Sequence, residues 1–130
     1  TGSVIKTIAA FLNSEGGTLV IGADDDAQPL GIEPDLTAKS FDVDRYENFL
    51  MTSIVNNIDT VAAAKCRIRF EAIDNKTVCM VDVEPSTRPV FANTDKGKSV
   101  FFIRTGNATR AIEGEEILTY TQDRFGVSNS

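Results

Sequence analysis

The stretch from Ile8 to Gly22, reading IAAFLNSEGGTLVIG, constrains the fold more than any other part of the chain. Val4, Ile5, Ile8, Ala9, Phe11 and Leu12 recur at helical spacing, and Asn13 and Ser14 are poor helix-interior residues. Gly16 and Gly17 can take the positive φ angles a helix C-terminus needs. The pattern predicts a helix over about Ser3–Asn13 and a strand over Thr18–Ala23. A nucleotide-cradling loop requires the reverse order, glycines after a strand and before a helix, so Gly16-Gly17 reads as a helix stop and not as a phosphate loop.

Downstream, Asp24–Pro29 reads as a polar turn, Leu30-Gly31-Ile32 as a short return strand and Asp35–Asp42 as a linker. Asp44 and Glu47 have the spacing of a capping box, and Tyr46, Phe49, Leu50, Ile54 and Ile58 form the apolar stripe of a second helix that packs on a sheet. Polar and apolar residues alternate through Arg67–Ala72 and again through Val78–Val83. With Asp74-Asn75-Lys76 as the turn, these form an antiparallel hairpin with Arg67 and Arg69 on its solvent face. Asn93–Ser99 is a polar loop and Val100–Arg104 a further strand. Gly114–Phe125 is a closing helix with Glu113, Glu115 and Glu116 at its positive end, Arg124 near its negative end and Gly126 as the stop. Val127–Ser130 is expected to fray. The fold class is therefore α+β, a mixed but largely antiparallel sheet of about four to six strands covered by helices, in one domain over residues 1–130.

The chain's 130 residues, 42% of them hydrophobic, suffice for one core. No run is apolar for the roughly 20 residues a bilayer helix needs, and Thr1–Lys6 lacks a secretory pattern, so the expected compartment is the cytoplasm. Thr1 stands where an initiator Met is normally found, which suggests a piece of a longer protein. Histidine is absent, which excludes Ser/His/Asp triads, Cys/His nucleophiles and histidine metal ligands from within these residues. Cys66 and Cys79 fall on the two arms of the hairpin, with Cys79 opposite a position near Glu71. That register keeps them beyond disulfide reach, so both are expected to be free thiols.

Charge is unevenly spread. The net charge is −6, but residues 1–64 hold three bases against ten acids and residues 65–130 hold ten bases against nine acids. Contacts to phosphate are therefore expected from the second half.

Several motifs occur in a family-specific order: the Ile8–Gly22 segment, then Asp24-Asp25-Asp26 and Leu30-Gly31, then Val83-Glu84-Pro85-Ser86 with Arg88-Pro89-Val90-Phe91. They continue with Phe101-Phe102-Ile103-Arg104-Thr105-Gly106-Asn107-Ala108-Thr109-Arg110, and end with Glu116-Ile117, Tyr120 and Arg124-Phe125. This order resembles the Schlafen AlbA-type domain over nearly the whole chain. The resemblance implies an AlbA-like fold and a DNA-binding module, regulatory in character, within a larger protein of bacterial type.

The residues offer particular contacts for such a role. Arg104 and Arg110 stand on either side of a turn whose Gly106 lets a ligand approach the backbone, an arrangement suited to a phosphate through guanidinium forks and a nest of amides. The same arginines could instead pair with carboxylates such as Glu113. Lys96 and Lys98 add charge from the polar loop, with Arg67 and Arg69 as secondary contacts. Phe91, Phe101 and Phe102 could form a stacking platform, although alternation puts at least one of Phe101 and Phe102 in the core.

Two further readings come from other classes. Schlafen-type ribonucleases use two upstream glutamates and an aspartate in the segment corresponding to Asp24–Asp26, so the resemblance also allows a divalent metal at Asp24 and Asp26, completed by carboxylates upstream; no cofactor is otherwise expected. Alternatively, Asp24–Asp26 is a solvated turn and the domain an oligomerisation or adaptor unit, with a homodimer or further domains of its own chain as partners.

Overall fold

The computed structural model describes residues 2–24, 26, 28–94 and 97–126. Helix α1 (Gly2–Leu12) buries Ile5, Ile8, Ala9, Ala10, Phe11 and Leu12. Fully burying Ile8 and Leu12 stabilises the fold by about 1.5–3 kcal/mol each. The helix ends where predicted: the amides of Ser14 and Gly16 both donate to the Phe11 carbonyl, at 3.1 and 2.9 Å. Gly16 has φ +75°, and a Cβ there would lie 2.4 Å from the Val83 carbonyl oxygen, so glycine is required on two grounds.

Strand β1 (Gly17–Ile21) follows and pairs antiparallel with β3 (Lys76–Val83). The other edge of β3 pairs antiparallel with β2 (Cys66–Ile73), giving a sheet ordered β1-β3-β2. The β2–β3 hairpin turns at Asp74 (φ 52°) and Asn75 (φ 63°), the two successive left-handed residues of a type I′ connection. Its register places Cys79 opposite Phe70 and Cys66 opposite Val83. The two thiols are four rungs apart, about 13 Å along the strands, and both are free and buried.

Between β1 and β2 lie three helices. Most of α2 (Glu33–Lys39), a two-turn helix with proline in its first turn and no buried residue of its own, falls in the predicted linker Asp35–Asp42, and it starts two residues earlier. Helix α3 (Val43–Asn57) buries Tyr46, Leu50 and Ile54, as its stripe requires, but is capped by Asp42 and not Asp44. Asp42 Oδ1 accepts from the Arg45 amide at 2.8 Å, the usual contact of an N-cap aspartate with N3. The short α4 (Thr60–Ala64) is capped likewise by Asp59. The expected return strand at Leu30–Ile32 is a tight loop in which the Leu30 and Gly31 amides share the Gly22 carbonyl.

The C-terminal half forms a second three-stranded sheet, ordered β4 (Ala92–Asn93), β5 (Ser99–Thr105), β6 (Ala108–Ile112), again antiparallel. The α+β class holds, with the strands divided between two sheets and every described pairing antiparallel. Phe102 joins the main core with α1, whereas Phe101, on the other face of β5, meets the rings of Phe91 and Tyr120 at 5.2 and 6.0 Å. Both Phe101 and Phe102 are buried, so neither offers a stacking surface. Helix α5 (Glu115–Phe125) closes the domain, carrying Glu115 and Glu116 in its first turn and Arg124 in its last, and stops at Gly126 with φ 60°. Among the described residues no helix is long and apolar enough to cross a membrane. The predicted fraying of Val127–Ser130 lies outside the described residues.

Candidate nucleic-acid interface

The motif around Gly106 folds as the β5–β6 hairpin, with Gly106-Asn107 as a two-residue turn. Gly106 has φ +62° and Asn107 is not in the left-handed region, the pattern of a type II′ turn. The ladder pairs Arg104 with Thr109 and Ile103 with Arg110. Directly opposed residues share a face and neighbours alternate, so Arg104 and Arg110 project from opposite faces of the hairpin. Their hydrogen bonds agree: Arg104 Nη1 donates to Thr109 Oγ1 at 2.8 Å, and Arg110 Nε donates to Thr105 Oγ1 at 2.6 Å. The two arginines flank one turn, as expected, yet they cannot grip one phosphate as a pair of jaws. Sequence spacing alone gave no sign of this, because β6 (ATRAI) lacks the apolar alternation that marks a strand.

Arg104 is half-buried, its guanidinium 5.0 Å from the centre of the Phe11 ring, a cation–π contact that fixes its stem. Arg110 is exposed. Neither forms an ion pair among the described residues, so the alternative of pairing with Glu113 is not what the geometry shows.

The other basic residues are dispersed. Lys98 is exposed but precedes β5, six residues and about 20 Å of strand from Arg104. Lys96 lies outside the described residues. Arg67 and Arg69 belong to the other sheet, both on the exposed face of β2 as predicted. Arg69 is committed there: Nε reaches Asp82 Oδ2 at 2.8 Å and Nη1 reaches Glu71 Oε1 at 2.7 Å. The Arg69 hydrogen bond holds the Asp82 carboxyl below the usual carboxylate range, with Thr18 adding to the effect. Arg88 is likewise paired with Asp59 at 2.9 Å.

In the acidic loop, Asp24 Oδ1 accepts from the amides of Asp26 and Gln28, at 2.9 and 2.8 Å. That oxygen organises the turn. Among the described residues, no group of three or more Cys, Asp or Glu side chains is placed to hold a metal ion, and Asp25 lies outside them. Two residues that sequence reasoning passed over as helix breakers have structural work instead: Asn13 and Ser14, both buried, anchor the second sheet and α5.

A family model described as Schlafen, AlbA_2 matches residues 1–113. The chain belongs to that family. The match covers both sheets of this AlbA_2 domain and stops before α5, short of the Glu116–Phe125 motifs that the resemblance takes in. No curated protein matches the chain. Among solved structures, the crystal structure of the DIP2311 protein from Corynebacterium diphtheriae superposes with a TM-score of 0.65 and 18% identity, over 95% of this chain and 22% of that one. That likeness is one of fold, and the chain spans about a fifth of the length of that protein.

Proposed function

We propose that this AlbA_2 domain is a nucleic-acid-binding module that engages phosphates without reading base sequence, with Arg104 and Arg110 as its principal contacts, Lys98 and Arg67 as outlying ones, and Lys96, outside the described residues, as a further one. The observation that carries this reading is the contrast among the arginines. In a chain of net charge −6, Arg69 and Arg88 are neutralised by carboxylates, whereas Arg104 and Arg110 at the hairpin tip have no ion-pair partner among the described residues. Guanidiniums left with free donors beside an open glycine turn suit phosphate oxygens. Family membership supports the same direction.

The scattered placement of Lys98 and Arg67 sets the scale of the interaction. A footprint of few phosphates gives weak affinity that falls steeply with salt, since binding is driven by release of condensed counterions. Fluorescence anisotropy with unrelated DNA and RNA sequences at several salt concentrations tests this. Comparable affinities across sequences, reduced for all of them by Arg110→Ala, are expected. Absence of binding to either nucleic acid at low salt would overturn the reading and move the adaptor role ahead.

A further inference from the structure

A cleft of about 610 Å³ opens where three elements meet: the α1–β1 turn at Ser14–Gly16, the hairpin tip at Gly106-Asn107, and the last turn of α5 at Arg124. Ser14 ties them together. Its hydroxyl accepts from the Arg104 amide at 3.0 Å, and its carbonyl accepts from Arg124 Nε at 3.0 Å and from Arg124 Nη2. Ser14 thus gathers two guanidiniums, one from β5 and one from α5, about one opening.

The lining is rich in unspent donors. A guanidinium has five N–H groups; Arg104 commits one to Thr109 and Arg124 two to Ser14. The amides of Gly106 and Asn107 donate to no group among the described residues. A Cβ built on Gly106 meets nothing within 4 Å, so the backbone there is open to a ligand. Against these donors stands one lining carboxylate, that of exposed Glu15, which forms no ion pair with either arginine.

We infer that this cleft is a binding site for a phosphate monoester, either that of a mononucleotide or the terminal phosphate of a nucleic-acid strand. The inference rests on the phosphate-binding reading of the hairpin and adds Arg124, which lies beyond the residues matched by the family model. Charge decides between ester classes. Two guanidiniums match a monoester, which carries close to two negative charges at neutral pH, better than an internal diester with one. Size agrees: the volume falls within the roughly 300–1,000 Å³ of small-molecule sites, enough for a nucleotide and too little for a duplex. Arg110, on the other face of the hairpin, stays outside the cleft and can contact the backbone only of a strand that continues past the tip.

The test measures anisotropy of a labelled single-stranded oligonucleotide carrying either a 5′-phosphate or a 5′-hydroxyl, with a parallel titration of adenosine 5′-monophosphate followed by amide NMR. The phosphorylated oligonucleotide is expected to bind about tenfold more tightly, a difference of 1.4 kcal/mol. Asn107→Asp places a like charge in the cleft at an exposed residue without hydrogen bonds, so the fold is spared; it should bring the ratio to about one, as should Arg124→Lys, which keeps the charge but loses the fork. Arg110→Ala should weaken both oligonucleotides equally and leave the ratio intact. The monophosphate should shift the Gly106 and Asn107 amides; saturation as tight as that of the phosphorylated oligonucleotide identifies free nucleotide as the source, and much weaker saturation identifies the strand end. A ratio of one in the unmodified protein, with oligonucleotide binding intact and no amide shift on adding the monophosphate, overturns the cleft and leaves the nucleic-acid reading standing. Binding of neither oligonucleotide together with monophosphate shifts sinks the nucleic-acid reading and keeps the cleft as a nucleotide site. No shift of those amides with monophosphate, and no ratio, overturns the cleft outright.

Discussion

Asn13 and Val90, 77 residues apart, hold one another by two hydrogen bonds: Asn13 Oδ1 accepts from the Val90 amide at 2.9 Å, and Asn13 Nδ2 donates to the Val90 carbonyl at 2.8 Å. The second amide hydrogen of Asn13 goes to the Phe102 carbonyl at 2.9 Å. One fully buried side chain at the end of α1 thereby joins the first half of the chain to the strand that carries Arg104.

Asn13→Ala should therefore be among the most destabilising substitutions in the chain. It leaves the Val90 N–H and two carbonyls buried without partners, and such groups cost about 1–3 kcal/mol each, so a loss of about 3 kcal/mol or more is expected in urea unfolding. A loss below about 1 kcal/mol would show that the second sheet does not depend on this bridge.

The buried ionisable groups predict an alkaline limit to stability. Burial pushes the Cys66 thiol up to about 11 and, with some help from Glu47, the Cys79 thiol up to about 12; it also raises the Tyr46 phenol to about 12. All three are neutral in the folded protein and ionise earlier in the unfolded chain, from the ordinary values of 9.0 and 10.0. Their contribution is thus fully present below pH 9 and is lost as pH rises through the window from 9 to 12. The melting temperature should stay level in these groups' respect up to pH 9 and then fall, less steeply in Cys79→Val. Iodoacetamide at pH 8 should label neither cysteine in the native protein and both in urea; prompt native labelling would contradict the burial.

How far the sequence discloses this fold follows from how local each determinant is. The α1–β1 junction and the Asp74-Asn75 turn are set by residues adjacent to one another, through periodicity and positive φ, and both were legible. Helix α2 was not, because its Glu33–Lys39 segment turns only Leu36 toward the core, and that only in part, so it shows no apolar stripe; what holds its start is Glu33, whose carboxylate accepts from the Thr77 amide at 2.8 Å across 44 residues. The candidate site was half legible. Arg104 and Arg110 stand out beside Gly106, but their opposite orientation needs β6, and the recruitment of Arg124 by Ser14 spans 110 residues without a local signal.

Loss of the Asp24 carboxylate should loosen the turn before it affects any chemistry. Asp24→Ala frees the amides of Asp26 and Gln28, whereas Asp26→Ala breaks no described hydrogen bond of its side chain. Hydrogen exchange at Asp26 and Gln28 should accelerate in the first variant only. Magnesium or manganese should support no cleavage of RNA or DNA by the 130-residue chain, since Asp24 and Asp26 alone do not clamp a metal and an attacking water. Cleavage abolished by Asp24→Asn and Asp26→Asn would overturn that expectation and establish the nuclease reading.

The opposite-face geometry of Arg104 and Arg110 makes a quantitative prediction for the proposed function. If each contacts a different phosphate, each Ala substitution lowers the slope of log K against log salt by about one, and the double variant lowers it by about two. The losses in binding free energy then add, with a coupling near zero, because the side chains neither touch nor share a partner. Two arginines closing on one phosphate would behave otherwise, the second substitution costing much less than the first. Arg104→Ala also removes the contact with Phe11 and should lower the melting temperature somewhat, so the cycle is repeated with Arg104→Lys, which keeps the charge. Arg110, exposed and bonded only to Thr105, reports on binding with little effect on the fold. Strong coupling between the two positions would mean that the hairpin twists on binding to bring both guanidiniums to one side, against the register of β5 and β6.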